Sequence, residues 1–211
     1  MKYIFIDPDP EKEKTFFSNQ LNTLYLLRKQ LRKDVIFISK ESFQAQNHFI
    51  CGLLIKDNLF LINPIGISSH GEFYSQLEHI KINKIYISNN VIQKDQKGLV
   101  SCGVIITELV RYFASMSSQQ ILEITELAQQ KQRGGLIYYE IDITSALSSE
   151  LLNLQNNQEY NGYQEAIILL RYKHFNLLKG IQESTLSNLL FSLYHSLCIK
   201  NLYWLLSPFS L

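Results

Sequence analysis

The sequence predicts an α+β protein: a central mixed β-sheet flanked by helices, with a mostly helical C-terminal extension. Three observations lead there. Short runs rich in β-branched and aromatic residues recur between residues 2 and 89. Segments with apolar residues at three- and four-residue spacing lie between and after them. Beyond Arg133-Gly134-Gly135, the clearest break in the chain, the patterning is mainly helical. We therefore expect a first domain over residues 1–133. Residues 134–211 form a helical extension packed on it, or an insertion-rich continuation of the same domain.

The elements follow in order. "KYIFID" at 2–7 is a short strand closed by the turn-like "DPDP". Residues 11–33 carry Phe16, Leu21, Leu24, Leu27 and Leu31 on one helical stripe, with acids early and bases late, as the helix dipole favours. "DVIFIS" at 34–39 is a strand. "HFICGLLIK" at 48–56 and "LFLINPIG" at 59–66 flank a two-residue turn at Asp57-Asn58 and form a hairpin. Both runs are almost continuously apolar, which places the hairpin centrally in its sheet. Residues 70–80 read as a short helix and 81–89 as a strand. An irregular loop leads to Cys102, which opens an apolar helix over 102–116. The helical pattern continues through "QQILEITELAQQKQ" to Gln132. Residues 135–144 are strand-like, whereas 144–155, 161–181 and 184–206 are helical.

Composition narrows the function. At 211 residues and 46% apolar content the chain can bury a sizeable core, and 18% charged residues argue against disorder. A net charge of +1 gives no electrostatic signature of nucleic acid or an anionic membrane. Cys51, Cys102 and Cys198 are far apart and form no CxxC pair. A disulfide framework or zinc site is not expected, and a reducing compartment fits. The N-terminus lacks the apolar core of a secretory signal. The charge-free run at 184–199 is broken by Asn188, His195 and serines, and is short for a bilayer span. No stable membrane span, metal or cofactor is implied.

Four residues carry a candidate chemistry. Cys102 begins a helix beside the small Gly103, where free N–H groups and the helix dipole favour a thiolate. His48 opens a strand and can act as base. Asn63 ends the neighbouring strand and can hold the imidazole in one tautomer. With a turn at Asp57-Asn58, His48 pairs near residue 67, so Asn63 lies off register and needs side-chain reach or a bulge. Gln96, six positions before Cys102, can donate to an oxyanion, and Gln93 competes for that role.

In this order and spacing, His48-Phe49, the Asn63-Pro64-Ile65-Gly66 strand exit and Gln96-x5-Cys102-Gly103 resemble the ubiquitin-like-protease superfamily of cysteine peptidases. The hairpin phrase is most similar to bacterial effector deubiquitinases. The resemblance covers residues 34–116. Phe49 stands where that family usually has tryptophan, Asn63 where it has aspartate, and Ser101 where aspartate precedes the cysteine. The resemblance implies a papain-related cysteine protease core over 1–133, with His48, Asn63, Gln96 and Cys102 as base, orienter, oxyanion donor and nucleophile. It implies ubiquitin or a ubiquitin-like protein as partner, a secreted bacterial effector acting in the host cytosol, and a docking role for the C-terminal extension. Acetyl transfer from coenzyme A and a catalytically silent modifier-binding role are the alternatives.

Each residue also has a plainer reading. A lone histidine is more often structural, a lone apolar-flanked cysteine is core, and an asparagine before proline starts a turn. His70 is a reserve base. His79, His174 and His195 read as structural or surface residues, and Cys51 and Cys198 as core. Lys94, Asp95 and Lys97 read as a solvated loop, and Trp204 as packing.

Overall fold

Strands that are apolar at nearly every position must be covered on both faces, and the architecture follows from that demand. In a computed structural model, residues 2–6, 16–43, 46–66, 77–94 and 101–181 are described. Strands β1 (Lys2–Ile6), β2 (Val35–Phe43), β3 (Gln46–Ile55), β4 (Asn58–Ile62), β5 (Lys84–Ser88), β6 (Gln129–Arg133) and β7 (Leu136–Ile141) form one sheet in the order β1-β2-β3-β4-β5-β7-β6. The β1–β2, β4–β5 and β5–β7 pairs are parallel, the others antiparallel. This is the expected α+β arrangement, a mixed sheet with helices on both faces.

Strand alternation assigns the two faces. Val35, Phe37, Ile50, Leu54 and Leu61 pack with Leu21 and Leu24 of α1 (Phe16–Leu31). Ile36, Phe49, Cys51, Leu53 and Phe60 pack in the cluster that contains Ile105 and Leu109 of α2 (Cys102–Ser115). The short α3 (Ser118–Glu123), a 3-10 turn (Thr144–Ala146), α4 (Ser149–Asn156) and α5 (Tyr160–Ile181) follow, and α4 and α5 complete the α2 layer. Cys51 is core, as expected. Basic Arg28 and Lys29 end α1. Arg28 sits 3.5 Å from Asp34 and 3.8 Å from Asp57, which ties that helix end to the β3–β4 turn.

Three sequence expectations change. The β3–β4 turn is Lys56-Asp57, not Asp57-Asn58: Ile55 pairs with Asn58 and Cys51 with Ile62. Lys56 takes the left-handed φ of 52° that the tight turn requires. Moving the turn by one residue moves the pairing by two. Second, the helix expected to run to Gln132 stops at Glu123, and Gln129–Arg133 is an edge strand. That run has no apolar stripe to bury, so strand pairing with β7 overrides the helix propensity of Gln and Lys. Third, Gly134-Gly135 is the turn of the β6–β7 hairpin, closed by the Arg133–Leu136 pair; Gly134 adopts φ 60° and Gly135 N–H donates to Glu78 Oε1 at 2.9 Å. The boundary expected at 133/134 thus falls inside the sheet. Residues on both sides of it, such as Ile105 and Tyr163, share one core cluster. Most of the helix expected at 70–80 and all of the one at 184–206 lie outside the described residues. Among the described residues, no helix is long and apolar enough to cross a membrane.

The far end of α2 leads to Ser118, whose hydroxyl hydrogen-bonds to Asp34 just before β2. A 14-residue helix spans about 21 Å, so α2 runs back along the sheet from the opposite end. Cys102 therefore starts towards the end of the sheet where His48 lies near the start of β3 and the chain leaves β4 at Asn63.

Gly52 faces Phe37 across the β2–β3 pair, and a Cβ there would stand 2.0 Å from the ring Cζ. Gly52→Ala is expected to destabilise the fold by about 1–3 kcal/mol through forced repacking. A lowered denaturation midpoint with an unchanged slope would register it, and an unchanged midpoint would mean that Phe37 moves aside freely.

Candidate active site

The corrected register brings residue 63 opposite Ile50, two positions from His48 on the same face. A diagonal pair of that kind is within side-chain reach. His48 Nε2 and Asn63 Oδ1 are 2.7 Å apart, and both residues are buried, at 6% and 4% exposure. Asn63 Oδ1 also accepts the Ile65 N–H at 3.1 Å, an Asx turn that identifies it as the acceptor. The imidazole proton is therefore on Nε2, and Nδ1 carries the lone pair. Burial lowers the His48 pKa, and the Asn63 bond offsets this only in part. The ring is thus neutral near pH 7, the state that a general base needs. Among the described residues, buried Asn63 Nδ2 has no hydrogen-bond partner.

Cys102 is the first residue of α2 and 2% exposed. It belongs to the Phe49 side of the sheet, whereas His48 alternates to the Ile50 side. The structure thus brings His48 together with Asn63 and places Cys102 on the other face of the sheet. Gln96 lies outside the described residues. Gln93 is described, and its backbone N–H donates to Pro64 O at 2.8 Å, as does that of Ile92. The backbone at Gln93 is thereby tied to the strand exit that carries Asn63. Among the described residues, the buried Gln93 Oε1 has no hydrogen-bond partner.

The path from β5 towards Cys102 is anchored by residues that sequence reasoning missed. Asn90 is 6% exposed and satisfies both ends of its amide. Its Nδ2 donates to Asp142 at 2.8 Å and Thr144 at 2.9 Å, and its Oδ1 accepts the Ile143 N–H at 2.8 Å. Lys94, expected in a solvated loop, instead donates to the carbonyls of Gln155 at 2.6 Å and Asn157 at 2.5 Å. These are the last carbonyls of α4, where a cation meets the negative end of the helix dipole. Asp95 and Lys97 lie outside the described residues, as do His70, His195, Cys198 and Trp204. No sequence pattern marks Asn90 beyond its place after a strand.

Deeper along α2, Glu108 is fully buried. Arg111 holds it with two bonds, at 2.8 and 2.5 Å, while Lys173 Nζ lies at 3.2 Å and His174 Nε2 at 2.9 Å. Burial opposes its ionisation, but the bonds from Arg111 and His174 and the charges of Arg111 and Lys173 outweigh it. The carboxyl is held well below the usual range. This cluster pins α5 to α2, and His174 is structural, as expected. Among the described residues, no group of three or more histidine, cysteine, aspartate or glutamate side chains could hold a metal ion.

No protein-family model, no curated protein and no solved structure matches the chain.

Two outcomes test this geometry. The His48 ring resonances are expected to titrate below the ordinary histidine value of about 6.5. Since the unfolded chain then binds the proton first, stability is expected to fall as pH drops below about 6.5 and to level off below the folded midpoint. Asn63→Asp places a negative charge on the ring and should raise that midpoint. A wild-type midpoint at or above the ordinary value would contradict the buried, neutral imidazole. Separately, Glu108→Gln removes the buried charge that partly exposed Arg111 and Lys173 and buried His174 gather around, and is expected to cost about 1–3 kcal/mol near neutral pH. Its penalty should shrink in acid as the wild-type carboxylate is itself protonated, and a pH series of denaturant midpoints measures this.

Proposed function

We propose that this protein is a papain-related thiol peptidase or isopeptidase that cleaves ubiquitin or a ubiquitin-like modifier after its C-terminal glycine. The observation that carries the reading is the buried 2.7 Å bond between His48 and Asn63, at the sheet end where the Cys102 helix begins. Sequence order, spacing and resemblance to ubiquitin-like proteases singled out these residues, and strand register alone makes the first two meet. The neutral imidazole, with its proton committed to Asn63, presents the correct tautomer for a base.

The chemistry then runs in two steps. In this reading His48 Nδ1, the ring nitrogen not committed to Asn63, takes the Cys102 thiol proton. Sγ attacks the carbonyl carbon of the terminal glycine. The resulting oxyanion is met by first-turn N–H groups of the Cys102 helix and by a carboxamide, Gln96 or Gln93. His48 returns the proton to the leaving amine, which leaves a thioester on Cys102. Water, activated by the same imidazole, hydrolyses that thioester and frees the thiol. A narrow channel over Cys102 would favour glycine at the end of an extended tail. We read the site of action as a reducing cytosol, that of a host cell if the likeness to bacterial effectors extends to delivery.

Asn63→Asp would put a carboxylate beside the imidazole and favour the protonated ring that forms when His48 takes the thiol proton. Asn63→Asp is therefore expected to keep or raise activity. Asn63→Ala should lower it by about 10-fold to 100-fold, less than the loss in Cys102→Ala or His48→Ala. Ubiquitin, SUMO and NEDD8 probes with a C-terminal thiol-reactive warhead, read by intact mass, test the reading. An adduct with one probe that disappears in Cys102→Ala supports it. A folded protein that reacts with none would shift the reading to acetyl transfer or to a silent modifier-binding role.

A further inference from the structure

The β6–β7 hairpin fixes which main-chain groups face outward at one edge of the sheet. Its Gly134-Gly135 turn is closed by the Arg133–Leu136 pair, and a two-residue turn requires those two residues to exchange both N–H···O bonds. Pairs alternate from there along the ladder. Lys131 and Gln129 also bond inward, to Tyr138 and Glu140. Gln130 and Gln132 therefore turn their N–H and C=O groups away from β7. β6 is the last strand of the sheet, and among the described residues no strand pairs with its outer side. Donors and acceptors of alternate residues stand open there in register.

The side chains around this edge define what fits it. Leu136 and Tyr138 belong to the α1 face, so Ile137 lies on the α2 face, together with Gln130 and its cross-strand neighbour Gln132. Ile137 is 52% exposed, and Leu127, just before β6, is 92% exposed. Gln129, Lys131 and Arg133 line the other face, and β6 carries no acid. Lys131 meets Glu140 of the inner strand at 3.6 Å and keeps 44% of its side chain exposed. A second copy of the chain suits this edge poorly. The antiparallel register that pairs all of β6 with itself sets Lys131 against Lys131, and like charges directly opposite are destabilising. A five-residue edge also falls far short of the roughly 20–30 residues a side of a stable interface between folded partners. An extended segment needs only the edge itself, because main-chain bonds supply the affinity and alternate side chains the choice of partner.

We propose that the outer edge of β6 is a docking site for an extended acidic segment of a partner protein, which joins the sheet as a further antiparallel strand. Its carboxylates face Lys131, and its apolar side chains lie beside Gln130 and Gln132, on the side of Ile137. This surface involves neither His48 nor Cys102, so it stands or falls apart from the peptidase reading.

The probe is a fluorescein-labelled peptide of alternating glutamate and valine, titrated with the full chain and read by fluorescence polarisation. Saturable binding is expected, with the lysine–valine counterpart weaker by about 10-fold or more. Lys131→Glu should reverse that preference. Gln132→Pro removes an outward N–H that β7 does not use. It should abolish binding and leave the unfolding midpoint close to that of the wild type. The docked valines lie opposite Gln130 and Gln132 and turn their N–H groups towards β6, whereas the glutamates turn theirs away. Methylating the valine nitrogens should therefore abolish binding, and methylating the glutamate nitrogens should not.

No saturable binding, equal binding of the two charge patterns, or equal loss with either methylation would each overturn the proposal. Should Gln132→Pro fail to fold, the two methylated peptides decide the matter. A wild-type dimer in sedimentation that Gln132→Pro makes monomeric would assign the edge to a second copy, and so overturn the proposal as well.

Discussion

The bond between His48 and Asn63 depends on where one hairpin turns. With the turn at Lys56-Asp57, residue 63 stands opposite Ile50 and its carboxamide reaches the imidazole two positions away. One residue later, residue 63 would stand opposite Gly52, four positions from His48 and out of reach. The turn is held from outside the hairpin: Asp57 accepts the Tyr25 hydroxyl at 2.9 Å, and its carbonyl accepts the Asn83 N–H at 3.1 Å. The packing of α1 on one face thus sets the geometry of a polar pair at the far end of the sheet. Because strand pairing is discrete, this constraint has no intermediate setting.

A buried imidazole and a buried thiol are both costly to ionise in apolar surroundings. The site meets that cost differently at each partner. His48 stays neutral, with its one proton donated to an acceptor that is itself fixed by the Ile65 N–H. Cys102 sits on the first turn of a helix, where backbone dipoles supply positive potential without a buried cation. The charged groups of α2 are kept well along the helix at Glu108, where Arg111 and Lys173 neutralise them.

The C-terminal half of the described chain is structural support for this end of the sheet. β7 continues the sheet beyond β5, Asn90 is locked to Asp142 and Thr144, and Lys94 closes on the end of α4. Tyr163 and His174 bind the beginning and the middle of α2 through Ser101 and Glu108. A core cluster shared by α2, α4 and α5 makes these polar anchors rigid. An unsatisfied partner in any of them would carry the full penalty of a buried polar group.

Local pattern was enough to fix much of this protein from its sequence. Period-two and apolar runs located β2 through β5, and three- and four-residue spacing located α1, α2 and α5. The start of α2 at Cys102 was legible because an irregular polar loop gives way there to an apolar helical stripe. The pairing of His48 with Asn63 was legible as chemistry but not as geometry, since the sequence does not specify a hairpin register to within one residue. β6 was misread because an exposed edge strand of polar residues has no hydrophobic period, and only β7 beside it makes it a strand. Glycines at 134 and 135 mark a turn, but whether a turn divides domains or joins two strands depends on what packs across it. The roles of Asn90, Lys94 and Tyr163 belong to tertiary structure alone. Each acts through partners more than fifty residues away, and no local propensity encodes which buried polar groups will find one another.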